Sequence, residues 1–255
     1  MTGFLKHPLR VTGRLFWLGG EIFLAMLDFV INVVCAREVP LVRARAVWLQ
    51  QACRRILRVL NTEVTTHGPI PLKGLLVSNY LGYLDILVLS AITPVVFISK
   101  NDVKRWPVFG WFAILSGALF VRRNKRSDVA RLNQEIARVL EAGGLVVLFP
   151  EDAGAERGRP FKSSVLEPVT RFDHALSAGS ISYVVRDEDA RGETCYKEDA
   201  TFAPHLLNVL ANLQIKTTVS FTLMEGTRRN RKELALRLHS QVAQPKESPI
   251  STVVE

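Results

Sequence analysis

Hydrophobic positions divide the chain into two parts with different patterns. Residues Leu15 to Cys35 form a run that is apolar apart from three polar side chains, and its length can cross a hydrocarbon core of roughly 30 Å. A break at Pro40 follows, and a second, more basic helix is predicted from Val42 to Leu60. From Glu63 onward, short apolar runs alternate with stretches of helical periodicity. The pattern therefore predicts a helical hairpin followed by a globular body.

The body has the pattern of an α/β fold. Its clearest helix begins at Ser127 or Asp128, either of which can cap the first turn, and ends at Gly143. The buried-strand run Leu145 to Phe149 follows directly. Strand, helix and strand in this order form a βαβ unit, so we predict a mostly parallel central sheet flanked by helices. The predicted strands are 74–79, 94–99, 118–122, 145–149, 181–185 and 215–222, and the other predicted helices are 85–91 and 231–241.

These patterns predict three segments and one mode of membrane attachment. Residues 1–62 form a membrane-associated hairpin, residues 63–243 the α/β domain and residues 244–255 a disordered tail. Glu21 and Asp28 lie two helical turns apart on one face, where an ionised acid at mid-bilayer would be costly. Basic residues flank both ends of the run, whereas a spanning helix shows an imbalance. We predict in-plane or re-entrant attachment, with a transmembrane span or a buried soluble helix as alternatives.

Charge indicates which partner the hairpin meets. The net charge is +9, and residues 1–60 carry nine basic side chains against three acidic ones. Because these charges are interleaved with large apolar residues, we predict an anionic membrane surface as partner, with a solvated basic helix face as the alternative. Nucleic acid is not a predicted partner, since no recognition motif accompanies the charge.

The cysteines and histidines do not predict a metal site. The three cysteines and five histidines form no ligand spacing, so neither a structural metal nor a disulfide framework is predicted, and the compartment is expected to be reducing. The cysteines are Cys35, Cys53 and Cys195.

Four short blocks in the body carry the chemical signal. They are Asn79-Tyr80-Leu81-Gly82-Tyr83-Leu84-Asp85, residues 117–123 (Gly-Ala-Leu-Phe-Val-Arg-Arg), residues 149–151 (Phe-Pro-Glu) and residues 160–164 (Pro-Phe-Lys-Ser-Ser). In this order they resemble the glycerolipid (lysophospholipid) acyltransferases, which show Asn-His-x-x-x-x-Asp, Gly-x-x-Phe-(Ile/Val)-x-Arg and Phe-Pro-Glu-Gly-Thr. The fourth block resembles the branch that includes ornithine-lipid acyltransferases. The resemblance covers roughly residues 70–240.

The resemblance implies acyl transfer from a thioester to a lipid hydroxyl. In the family, the histidine of the first block is the general base, and the aspartate five residues later fixes its imidazole. Asp85 matches that aspartate, but Tyr80 stands at the position of the histidine. A phenol titrates near 10, so it is a poor proton acceptor at pH 7, and losing a general base removes about 10²–10⁴ in rate.

Three explanations for Tyr80 stay open. The chain is catalytically inactive, it recruits another base such as His67 or His174, or it carries a single damaging substitution in an active line. Asp85 also has a simpler alternative role, since a carboxylate at a helix start can cap free backbone amides.

The resemblance also implies the substrate-binding residues. Arg123 matches the family arginine that meets the polar head of the acceptor, and guanidinium suits phosphate or carboxylate. Lys100, Asn79 and Glu151 complete the predicted binding set. For Arg123 the alternative is a solvated basic run or a lipid-surface patch. The Gly-Thr that follows Glu151 in the family is replaced by Asp152-Ala153.

These expectations combine into one hypothesis and one rival. The resemblance implies an acyltransferase at the cytoplasmic face of a bacterial inner membrane. Its co-substrates would be acyl-carrier protein or coenzyme A as acyl donor and a lysolipid as acceptor, without a bound cofactor or metal. The rival is a non-catalytic protein that binds lipid or acyl carrier and has lost the base.

Overall fold

The computed structural model describes residues 7–35, 39–106, 108–121, 126–149, 167, 174–185, 202–224 and 231–243. The helices are α1 (Pro8–Phe29), which continues as a π-helical turn over Val30–Val34, then α2 (Leu41–Val59), α3 (Tyr83–Ile92), α4 (Phe109–Leu115), α5 (Arg126–Glu141), α6 (Phe202–Ala211) and α7 (Arg231–Ala243), with a short 3-10 helix over Asn101–Arg105. The strands are β1 (Thr62–His67), β2 (Gly74–Ser78), β3 (Val96–Lys100), β4 (Leu119–Val121), β5 (Leu145–Leu148), β6 (Leu176–Val185) and β7 (Ile215–Met224).

The strands form one sheet in the order β1-β7-β6-β2-β5-β3-β4. Every neighbouring pair is parallel except β6 and β7, which are antiparallel. The predicted α/β fold with a mostly parallel central sheet is therefore confirmed. The central strands β2 and β5 are buried along their whole length, as continuous apolar runs predict.

The sequence prediction was wrong for two strands of the sheet. β1 was not predicted, because an edge strand with one exposed side needs few apolar residues and its burial pattern is mostly exposed. β6 begins at Leu176, before the predicted start at 181, because serines and a glycine interrupt its apolar pattern. The helix α6 was not predicted either. The predicted tail over residues 244–255 lies outside the described residues.

Alternating side chains of the same strands supply two cores. Leu76 and Val147 point to the face covered by α1, α2, α3, α4 and α6, which we call the cavity face. Their neighbours Leu75 and Val146 point to the face covered by α5 and α7, which we call the solid face.

The N-terminal hairpin packs against the body on the cavity face. The Trp48 indole of α2 donates to the carbonyl oxygen of Ala25 in α1 (2.7 Å), and Arg55 of α2 forms an ion pair with Asp28 of α1. At the other end of α1, the Arg14 guanidinium donates to the carbonyl oxygen of Leu210 (2.9 Å), at the end of α6. Asp28 is therefore balanced by a cation from the second helix of the hairpin.

By length and composition, residues 8–34 could cross a membrane, and little of this helix is buried by the rest of the protein. Its exposed apolar side chains include Phe16, Trp17, Phe23, Leu24, Leu27 and Ile31.

Candidate functional site

The site is built where β2 ends. Ser78 is the last residue of this buried strand, and the Asn79 side chain continues the pairing with β6. The Asn79 Nδ2 donates to the carbonyl oxygen of Ile181 (2.9 Å), and the Ile181 amide donates to Asn79 Oδ1 (2.8 Å). The Asn79 side chain therefore extends the hydrogen bonding between β2 and β6 by one residue and fixes the loop that follows. Its predicted contact with substrate stays a prediction.

Asp85 lies in the first turn of α3 with none of its surface exposed. The amides of Leu81 and Gly82 donate to its Oδ2 (2.5 and 2.9 Å), which is the capping role that a carboxylate at this position can take. The hydroxyl of Tyr183, from β6, donates to Oδ1 (2.6 Å). The carboxylate therefore holds the loop after β2, the start of α3 and the end of β6 together.

Burial controls the charge of this carboxylate. Removal from water raises the pKa of Asp85 to about 6, while the hydrogen bonds from Tyr183 and from the Leu81 and Gly82 amides act in the opposite direction. Because the pKa is raised although three donors favour the ionised form, burial is the larger effect. A carboxylate with this pKa is a better proton acceptor than an exposed one.

Tyr80 lies on the apolar side of the site. Its ring packs against Phe149, just after β5, with centroids 4.8 Å apart, and Phe149 stacks on Phe97 of β3 at 5.8 Å. The three rings form part of the wall of a cavity of about 420 Å³.

This cavity runs between the sheet and the helices of the cavity face. Leu18 and Ile22 line it on the side of α1. Its wall is mostly aliphatic and aromatic, and the polar side chains at it include Tyr80 and Lys100. The structure thus brings these two predicted residues to one cavity. Other lining residues include Leu49, Cys53, Ile56, Leu60, Tyr83, Ile86, Leu87, Val103, Phe109, Phe112, Ala113, Ser116, Phe202 and Leu206.

The predicted residues Arg123 and Glu151 lie outside the described residues, and so do Asp152-Ala153 and the block over residues 160–164. The strands that lead toward the first two, β4 and β5, are described. Val121 of β4 pairs with Lys100 of β3 in parallel register, and β5 runs parallel to both β2 and β3. Because parallel strands end at one edge of a sheet, both strands run toward the edge where Tyr80 lies.

The two histidines considered as substitute bases are not beside Tyr80. His67 ends β1, which is separated from β2 by β7 and β6. His174 precedes β6, whose first residue pairs near the start of β2, whereas Tyr80 follows the end of β2. Parallel pairing therefore puts His174 at the opposite edge of the sheet.

A different histidine, His205 of α6, was missed by sequence reasoning. It is buried, and its Nδ1 lies 3.0 Å from the hydroxyl of Tyr83, whose ring lines the cavity. Its position depends on α6, for which no motif gave a signal. The pair joins α6 to α3 behind the cavity wall.

Comparison with known proteins shows which proteins this chain is similar to. The model of a family described as Acyltransferase matches residues 61–186. A lyso-ornithine lipid O-acyltransferase from Brucella abortus is 32% identical over 209 residues, which cover 74% of this chain and 78% of that protein. The protein of the same name from Rhizobium meliloti is 31% identical over 191 residues, or 68% of this chain and 65% of that protein, just under two thirds of its length.

Two further likenesses extend the comparison. A 1-acyl-sn-glycerol-3-phosphate acyltransferase from Neisseria gonorrhoeae is 33% identical over 140 residues, 52% of each chain. The crystal structure of the 1-acyl-sn-glycerophosphate acyltransferase PlsC from Thermotoga maritima superposes with a TM-score of 0.59 and 15% identity, covering 92% of this chain and 95% of that one. At this identity the superposition shows a shared fold.

Proposed function

Because this chain belongs to the lysophospholipid acyltransferase family, we propose that it moves a fatty acyl group from a thioester to the hydroxyl of a lysolipid. The donor would be acyl-carrier protein or coenzyme A. The observation that carries this proposal is the cavity of about 420 Å³, which is largely apolar and has Tyr80 and Lys100 among its polar wall residues.

The cavity has the chemistry that a fatty acyl chain requires. Each methylene removed from water contributes about 0.8 kcal/mol, so a wall of aliphatic and aromatic side chains favours a long chain. Tyr80 follows the end of β2 and Lys100 ends β3. We infer that the acyl chain lies along the apolar wall and that its thioester lies near these two residues.

Cations at the same edge would bind the acceptor. Lys100 lines the cavity, and Arg123 follows β4, the neighbouring strand. Ammonium and guanidinium groups suit the carboxylate or phosphate of a lysolipid head, and Glu151 would orient the guanidinium. Since two of the similar proteins are lyso-ornithine lipid acyltransferases, we propose lyso-ornithine lipid as the first acceptor and lysophosphatidate as the second.

We propose that α1 attaches the protein to a membrane. Leu18 and Ile22 of this helix line the cavity, and Arg14 donates a hydrogen bond to the end of α6. A helix that left the body to cross a bilayer would open the cavity. The exposed apolar side of α1 supports attachment in the plane of an anionic membrane, which we propose to be the cytoplasmic face of a bacterial inner membrane.

One observation favours the second candidate, a non-catalytic protein that binds lipid or acyl carrier. The carboxylate of Asp85 already accepts three hydrogen bonds, and Tyr80 stands where the resemblance puts the histidine. We therefore expect the natural sequence to transfer acyl groups slowly at most, at a rate about 10²–10⁴-fold lower than a site that has its base.

The test is transfer of a radiolabelled acyl group to lyso-ornithine lipid and to lysophosphatidate by the full chain in lipid vesicles. Ala113→Phe fills the cavity from α4 and should abolish transfer and acyl binding. The matched control is Ile114→Phe, because Ile114 is the next residue of the same helix and is 48% exposed.

The outcomes separate the two candidates. Slow transfer that only Ala113→Phe abolishes supports the acyltransferase. Acyl binding without transfer, lost only in Ala113→Phe, supports the binding protein. If neither substrate binds to the natural chain, both candidates are wrong.

A further inference from the structure

The partner of Asp85 on β6 was not predicted from the sequence. The Oδ2 atom accepts the amides of Leu81 and Gly82, which belong to the same loop and helix start. The Oδ1 atom accepts the hydroxyl of Tyr183, 98 positions further along the chain, at 2.6 Å. Because Asp85 is fully buried, these groups rather than water surround its charge.

The sheet explains how Tyr183 reaches this position. β6 runs parallel to β2, with Gly179 opposite Ser78, and continues beyond the end of β2. The Asn79 side chain pairs with both backbone groups of Ile181 and so keeps β6 beside the loop. Since side chains alternate along a strand, Ile181 and Tyr183 both point to the cavity face, where α3 begins.

The two tyrosines of the site make different contacts. Tyr80 packs its ring on Phe149 in the cavity wall, whereas Tyr183 donates its hydroxyl to Asp85. In the motif that this chain resembles, an imidazole at position 80 would need a hydrogen bond to this same carboxylate. In this protein the amides of Leu81 and Gly82 donate to one oxygen of Asp85, and the Tyr183 hydroxyl donates to the other.

We propose that Tyr183 is a positioning residue. Its hydroxyl occupies the Oδ1 atom of Asp85, to which an imidazole at position 80 would have to bond, so that regaining a general base needs changes at both tyrosines. This inference rests on the proposed function for its catalytic consequence, but its geometric part is independent. The phenol completes the hydrogen bonding of the buried carboxylate and keeps the loop in place when no histidine is present.

The test compares four full-length proteins: the natural chain, Tyr80→His, Tyr183→Phe and the double variant. The natural chain has five histidines, so the added imidazole signal can be identified by difference in NMR spectra. A carboxylate that pairs with an imidazole raises the imidazole pKa. We expect a higher pKa for the introduced imidazole in the double variant than in Tyr80→His.

Acyl transfer gives the second readout. We expect Tyr80→His alone to gain less than about tenfold over the natural chain, and the double variant to gain about 10²-fold or more. Tyr183→Phe alone should gain nothing, because it introduces no base. As a control, Tyr83→Phe combined with Tyr80→His removes a buried phenol that contacts His205 instead of Asp85, and should leave the imidazole pKa as in Tyr80→His.

The result that overturns the proposal is an imidazole pKa in Tyr80→His that already equals that of the double variant. If the pKa difference is found but none of the four proteins transfers acyl groups, the positioning role stands and the proposed function fails. If the double variant does not fold, the carboxyl titration of Asp85 in Tyr183→Phe decides. Loss of a donor to the ionised form should raise the pKa of Asp85, and an unchanged pKa would contradict the proposal.

Discussion

The two faces of the sheet are covered in different ways by helices. On the solid face, α5 and α7 pack side chains such as Ile136, Leu234 and Leu238 onto the strands, and these are at most 1% exposed. On the cavity face, five of the helices in the described residues cover the same strands and line a cavity of about 420 Å³. Neighbouring residues of β2, Leu75 and Leu76, belong to opposite faces.

The difference shows how one sheet separates stability from binding. The solid face buries its apolar side chains almost completely, and in a close-packed interior each methyl group contributes. The cavity face gives up part of that packing and also buries the Asp85 carboxylate. It is held in place by polar contacts, including those of Arg14 and Tyr183. We therefore expect apolar substitutions to cost most on the solid face and polar substitutions to matter most on the cavity face.

The largest expected effect is on the solid face. Ile136→Ala should lower the free energy of unfolding by about 4 kcal/mol, because it removes a fully buried side chain and leaves a new void. Ile86→Ala, in the cavity wall, should cost about 1 kcal/mol, because the space beside it is already open. Urea unfolding of both variants measures the difference, and equal losses would contradict the comparison.

The next effect concerns the buried carboxylate of the cavity face. The pKa of Asp85 is raised from 3.8 to about 6, so the folded state binds its proton more tightly than the unfolded state does. The bound proton therefore contributes fully to stability below about pH 4, and this contribution is lost as the pH rises through about 6. The free energy of unfolding falls by about 3 kcal/mol over this range.

Asp85→Asn should remove this part of the pH dependence. Unfolding measured at about pH 4 and about pH 7.5 for both proteins isolates it, since other groups contribute equally to both. The same pH dependence in the variant and in the natural chain would show that Asp85 is not the group responsible.

The smallest effect concerns the attachment of α1 over the cavity. Arg14 donates to the carbonyl oxygens of Leu210 and Asn212 at the end of α6, where a cation also interacts well with the helix dipole. Arg14→Met should lower the free energy of unfolding by about 2 kcal/mol and increase cleavage of the hairpin in limited proteolysis. Arg43→Met, at an exposed position of α2, is the control and should change neither.

Prediction from sequence succeeded where one local cause decides the structure. The strands β2 and β5 were predicted within a residue of their ends, because fully buried strands are continuous apolar runs. The helix α5 was predicted from its apolar spacing, but it begins at Arg126, so Ser127 and Asp128 lie inside its first turn and not at the predicted capping position. β1 was missed because its stability comes from pairing with β7, which its own polar sequence does not indicate.

The same distinction holds within the site. Five positions separate Tyr80 from Asp85, so a strand end followed by a helix start is enough to put both in one short segment, and the sequence alone determined this. Only the tertiary structure decided that Tyr183 would donate to the carboxylate and that α1 would line the cavity with Leu18 and Ile22. Both contacts depend on the order and register of strands far apart in the chain, which the packing of the whole sheet selects and no local pattern encodes.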